Sequence, residues 1–357
     1  MASSIVPPSA IIELDRPRTA PGLLSRSYRD RLIERGFFGL YRWYVTRSQE
    51  KRNWNPYLGF EWDKLRTDLS ADTKQILQGF FAVEQYVPDY TSKALNLLRR
   101  SHGRANFQIR WGSEEEKHSS TWETAVIFSG AQTPEQLENY RHQLRGKEWE
   151  LPWEDPLHLI TYTVFQERAT QLNYINMGKI ASGNGDKYND IDPVLAKVSA
   201  TIAADEAAHY NFFLEGLRLI MYYYPLEALE SIRDVLGRFS MPAQDLMPDW
   251  EAFFETAYRT AIYGPRQYAK DVVAFVFKTL GIDGRKALEE GIKRTREIPD
   301  EEGQMRTSAI WQTFDPTKIF SQVERLHERI QEFEKGFGWD KHDPLIFTPN
   351  PAYPNKF

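Results

Sequence analysis

The chain has 357 residues without a break in composition, which suits one large core with extensions better than two domains. It contains no cysteine, which excludes disulfides, thiolate metal ligands, protein-ligated iron–sulfur clusters and a thiol nucleophile. A net charge of -5 with 27% charged residues describes a well-solvated exterior with no overall attraction to nucleic acid. No apolar run reaches the roughly 20 residues of a spanning helix, and Met1 to Arg18 lacks both a signal-peptide core and a transit-peptide composition. A soluble, cytoplasmic protein is the expectation.

Residues 1–66 are expected to form an N-terminal arm and helix, 67–300 a helical core, and 301–357 a C-terminal helix and extended tail, all in a single domain. Pro7, Pro8, Pro17, Pro21 and Gly22 make the first stretch an arm. Between Arg16 and Arg52 ten basic residues stand against three acidic ones, which a solvated face explains better than an acidic partner. Aromatic and Arg residues recur at helical spacing over 28–45, interrupted by Gly36 and Gly39, and 53–61 reads as a loop. A long helix follows over 72–100. Its stripe of Leu77, Phe80, Phe81, Val87 and Leu95 has Glu84 in the middle, and a lone carboxylate on an apolar face needs a partner.

The next helix begins near Gly112, carries Glu115 and His118, and ends at Ser129 and Gly130. A peripheral helix spans 134–144. Over 156–181 the pattern is strong again, with Glu167 inside the stripe of Ile160, Thr163, Val164, Thr170 and Tyr174. Asp192 and Pro193 then open a helix to about residue 224, which sets Glu206 and His209 three apart on an apolar face. Further helices are expected over 225–239, 250–263, 266–280 and 317–337, with a Pro-rich tail over 343–357.

The Glu-x-x-His spacing puts both side chains on one helix face, and it occurs at Glu115/His118, Glu206/His209 and Glu324/His327. The third is expected to be a decoy, because Arg325, Glu328, Arg329 and Glu332 suggest a solvent-facing surface. The other two gain weight from order. Glu84, Glu115 with His118, Glu167, and Glu206 with His209 follow one another at intervals of 31, 52 and 39 residues, each fitting one long helix and its connection. Four such helices in contact would assemble the donor set of di-iron and di-manganese carboxylate bundles. Four carboxylates and two imidazoles favour iron or manganese over zinc or copper. The competing explanation is a set of buried pairs with Arg and satisfied core histidines.

Phe165-Gln-Glu-Arg-Ala-Thr170, Thr201-Ile-Ala-Ala-Asp-Glu206 with His209, and Phe239-Ser-Met-Pro-Ala243 resemble the soluble acyl-acyl carrier protein desaturases, over 54–271 and more faintly beyond Thr317. The resemblance implies an all-α fold, a ferritin-like four-helix di-iron bundle enlarged by additional helices, in a homodimer. It implies two iron ions per chain on Glu84, Glu115, His118, Glu167, Glu206 and His209, with Glu115 and Glu206 as bridges and O2 as co-substrate. Trp54 and Asp205 match the family's Trp and Asp that form a hydrogen-bonded chain with the first ligating His, here His118, a proposed electron route. Thr170 matches a threonine beside the oxygen-binding side, where a hydroxyl could deliver a proton.

The implied reaction places a cis double bond in a fatty acyl chain carried on acyl carrier protein. Electrons would come from a ferredoxin-type donor, since no dinucleotide fingerprint is visible. Phe80, Phe81, Leu159 and Ile160 are expected to wall the acyl channel. Two departures bear on this: the first pair stands in Ser-Glu-Glu-Glu-Lys-His-Ser, where plant members read Glu-Glu-Asn-Arg-His-Gly, and Leu159 stands where they often have Gly, which would shorten or bend the channel. Two other functions stay open, a di-iron hydroxylase or other oxidative tailoring enzyme, and an iron-binding helical protein without catalysis.

Overall fold

The computed structural model describes residues 24–299, 305–308, 310 and 313–350. The expected N-terminal arm before residue 24 and the tail beyond 350 lie outside the described residues. Helix α1 (Arg26–Lys51) starts at Ser25, whose hydroxyl accepts the Tyr28 N–H. It runs unbroken through Gly36 and Gly39, against the expected interruption. The reason is packing: a Cβ at Gly36 would lie 2.5 Å from Leu219 Cδ2, so the glycine lets two helices close up.

The single helix expected over 72–100 is two, α2 (Ala71–Glu84) and α3 (Val87–Leu98), with Pro88 in the first turn of the second. Helix α4 (His102–Phe128) begins well before Gly112, which lies inside it where a Cβ would meet Thr91 Oγ1 at 2.4 Å. The glycine read as a helix start is a close contact between α3 and α4. Helices α5 (Pro134–Arg145), α6 (Pro156–Ala181) and α7 (Pro193–Tyr223) match their expected bounds, each with Pro in the first turn and a side chain of Thr133, Asp155 or Asp192 capping the N-terminus.

Helices α8 (Pro225–Arg238) and α9 (Trp250–Arg259) follow, then α10, in which Pro265–Gln267 continues through a π-helical Tyr268–Val273 into Ala274–Leu280. The sequence reading did not contain α11 (Arg285–Arg294) or the antiparallel hairpin of β1 (Arg296–Pro299) with β2 (Met305–Ser308). Helix α12 (Pro316–Phe337) and a short 3-10 turn, Trp339–Lys341, follow. Apart from that hairpin and an isolated bridge, Ile282 with Phe314, the described residues form an all-α fold.

Helices α6 and α7 pack along each other, α2 lies on α4, and α4 meets α7, which gives a four-helix bundle. Helix α1 covers α4 and α7, and α12 covers α7 and α1. Most buried apolar residues, from Leu32 to Leu345, form one continuous cluster, with Ala94, Leu98 and Leu159 in a small one beside it. Over 344–350 the chain has no regular secondary structure and is tied to α7, where the Asn350 N–H donates to the Tyr222 hydroxyl at 3.1 Å. No helix of the described residues is long and apolar enough to cross a membrane.

The decoy behaves differently from its flanks. His327 is 1% exposed, its Nδ1 donates to the Val323 carbonyl at 2.8 Å, and its ring lies 5.1 Å from Phe347. Glu324 is exposed and takes no part. The charged neighbours occupy the outer face of α12, while Ile319, Val323, Leu326 and Ile330 turn the histidine inward.

Candidate metal centre

Glu84 at the end of α2, Glu115 and His118 on α4, Glu167 on α6, and Glu206 and His209 on α7 meet inside the bundle, none more than 5% exposed. Their donor atoms fall into two groups, each with all members within 4.8 Å: Glu84, Glu115, His118 and Glu206, and Glu115, Glu167, Glu206 and His209. Glu115 and Glu206 belong to both. His118 Nδ1 is 3.1 Å from Glu115 Oε2 and 3.2 Å from Glu206 Oε1. His209 Nδ1 is 2.9 Å from Glu115 Oε1 and 3.6 Å from Glu167 Oε2 and from Glu206 Oε2.

These residues fit a dinuclear metal site. Glu167 Oε2, both carboxylate oxygens of Glu206 and His209 Nδ1 are buried, yet none makes a hydrogen bond. An unsatisfied buried polar atom costs about 1–3 kcal/mol, so a cluster of them is explained by a cation that all of them face. Hard oxygen donors with two imidazoles suit iron or manganese. The competing explanation by Arg pairing is not what surrounds these heads. Burial, then the charge of Glu115, pushes the Glu84 carboxyl well above its ordinary range, and burial with Glu206 does the same to Glu167. Burial opposes the imidazolium of His118, but Glu115 and Asp205 outweigh it and raise its pKa.

The far side of each imidazole is held by a second carboxylate. His118 Nε2 lies 3.3 Å from Asp205 Oδ2, and that oxygen also accepts Trp54 Nε1–H at 2.9 Å. The Trp54 and His118 rings are 6.1 Å apart and within 8° of parallel. Asp205 is further paired with Arg52 at 3.4 Å and Lys117 at 3.5 Å. His209 Nε2 lies 2.9 Å from Glu114 Oε2, which accepts the Tyr44 hydroxyl at 2.5 Å, while Ser48 donates to Glu114 Oε1. The acid immediately before each shared Glu therefore serves the histidine of the other motif. The sequence reading found Asp205 and missed Glu114. The signal was present as a repeat, Glu114-Glu115 with His118 and Asp205-Glu206 with His209.

Two more buried donors escaped the sequence reading. Trp111 Nε1 donates to Glu167 Oε1 at 2.9 Å, and the Tyr174 hydroxyl donates to Glu84 Oε1 at 2.5 Å. Beside the centre runs a narrow cavity lined by Glu84, Glu115 and Thr170 and continued by Tyr90, Trp149 and Leu159. Thr170 Oγ1 accepts the Gln166 amide at 3.1 Å. Of the four residues expected to wall a channel, Leu159 does so. Phe80, Phe81 and Ile160 are packed in the main core instead, Phe80 with its ring 5.0 Å from both Trp122 and Tyr174.

A helical bundle closed over paired carboxylates and two oriented imidazoles defines a class, the ferritin-like di-iron carboxylate proteins. Within it the chain belongs to the fatty acid desaturase family, whose model matches residues 50–307. It is 29% identical over 216 residues to stearoyl-acyl-carrier-protein 9-desaturase 6, chloroplastic, of Arabidopsis thaliana, covering 56% of this chain and 53% of that protein. The chain thus spans about half the length of that relative. DesA1 of Mycobacterium tuberculosis, named as an acyl-acyl-carrier-protein desaturase, is 24% identical over 264 residues, 71% of this chain and 75% of that one. The X-ray structure of DesA2 from Mycobacterium tuberculosis H37Rv shares the fold with a TM-score of 0.52 at 15% identity, covering 72% of this chain and 98% of that one.

Proposed function

We propose that the chain is an O2-dependent di-iron desaturase that introduces a cis double bond into a fatty acyl chain carried on acyl carrier protein. The observation that carries this reading is that two donor groups sharing Glu115 and Glu206 border a narrow, mostly apolar cavity rather than open water. Two iron ions would be held by Glu84, Glu115, His118, Glu167, Glu206 and His209, with Glu115 and Glu206 as bridges. Iron supplies the power to activate O2 and remove hydrogen from an unactivated chain.

The protein's own part is orientation, proton supply and exclusion of water. Asp205 and Glu114 hold the proton on Nε2 of each histidine, leaving the Nδ1 lone pair turned to the centre. Because Thr170 Oγ1 already accepts from Gln166, its own hydrogen is free to be donated into the cavity. Trp54, partly exposed and hydrogen-bonded to Asp205, gives electrons from a ferredoxin-type donor a path to His118. Tyr90, Trp149 and Leu159 keep the acyl segment dry. The relatives' names support the carrier, and the reading takes the chain as a single domain paired in a homodimer.

The test is mass spectrometry of acyl carrier protein loaded with chains of several lengths, after incubation with iron-loaded protein, O2 and a ferredoxin system. Loss of two hydrogens is expected. Gain of oxygen would establish a hydroxylase, and unchanged chains alongside uptake of many irons would establish a storage protein.

A further inference from the structure

Tyr44, Ser48 and Arg52 are spaced four apart, so they form one stripe along the last turns of α1 and the residue that ends it. Helix α1 is not one of the four that carry the donor residues, yet this stripe reaches both imidazole-holding carboxylates. Tyr44 and Ser48 donate to the two oxygens of Glu114, and Arg52 pairs with Asp205. The Arg52 guanidinium also sits 4.9 Å from the centre of the Tyr44 ring, tying the two arms together. Glu114 is 1% exposed and is shared by three donors, a heavy investment for an acid that only fills space.

We infer that Glu114, clamped by Tyr44 and Ser48, is the positioning residue for His209, and that the end of α1 thereby sets how tightly the second metal is held. This rests on the proposed dinuclear centre and adds a control to it. With its two oxygens pinned, Glu114 cannot rotate, so His209 keeps one tautomer and one ring orientation. Removing the pins frees the carboxylate and with it the imidazole. The four bundle helices stay as they are.

The experiment titrates metal-free full-length protein with Co2+, read by visible absorption and by competition with a chelator, for wild type, Glu114→Gln and Tyr44→Phe with Ser48→Ala. Wild type is expected to bind two ions. Both variants should take the first ion as wild type does and the second about 10–100-fold more weakly, the usual effect of losing a partner behind a ligating histidine. Heat unfolding of the metal-free proteins serves as the control for folding. Unchanged binding of both ions, or lower stability with unchanged binding, overturns the inference and leaves the centre standing. No Co2+ bound by wild type would instead remove the dinuclear reading, and this inference with it.

Discussion

Pro88 stands four residues after Glu84, and the helical ladder ends between them. A proline ring inside a helix collides with the carbonyl four residues back, which here is that of Glu84. The break therefore falls at the residue whose side chain enters the centre. Residues from both sides of the break, Val83 and Glu84 before it and Tyr90 and Ala94 after it, line the cavity. Pro88→Ala is expected to let α2 continue, displace the Glu84 head and lower the iron retained against a chelator, with circular dichroism still helical. Full iron retention would mean that packing alone dictates the break.

Leu159 bounds the cavity and packs with Ala94 and Leu98 in a small cluster separate from the main core. Leu159→Gly should deepen the cavity and shift the preferred acyl chain to greater length, at a cost of about 2–5 kcal/mol or more in stability by analogy with Leu→Ala. Product distribution across a series of chain lengths checks the first part, and urea unfolding the second. An unchanged preference would place the length limit elsewhere.

Thr170 offers the one hydroxyl on the Glu167 turn that borders the cavity with its hydrogen unused. Thr170→Val keeps the shape and removes the proton. The variant is expected to hold iron normally but to form less product per O2 consumed, measured by oxygen uptake against desaturated chain. Tight coupling in the variant would reduce Thr170 to a packing residue.

His327 gives the acid side of the stability curve a testable slope. Burial lowers its pKa below the ordinary 6.5, so the folded state keeps it neutral while the unfolded state takes a proton near 6.5. Between those two values the unfolded chain binds more protons, and stability must fall as pH drops through that window; above it the group contributes nothing. His327→Phe should therefore lose less stability than wild type between about pH 7.5 and about pH 5. Equal losses in urea midpoint would contradict the burial.

Much of the bundle was legible because a metal donor on a long helix must lie on its buried stripe. Glu84, Glu167, and the pairs Glu115/His118 and Glu206/His209 all did. What the stripe alone does not tell is which buried acid meets what. Glu114 is buried as well, one residue and about 100° around the helix from Glu115, and its role depends on α1 and α7 arriving from distant parts of the chain. The sequence carries Tyr44 and Ser48 too, but only the packing of α1 against α4 gives them a partner. Gly36 and Gly112 misled because close approach between helices and a helix end call for the same residue. His327 misled because charge on the outer face of a helix says nothing about the inner one.

Iron per chain in Glu206→Ala and His209→Ala, set beside wild type after identical reconstitution, tests the centre most directly. Two irons in wild type and marked loss in both variants are expected. Equal iron in all three proteins would show that the convergence of these side chains serves the core and not a metal.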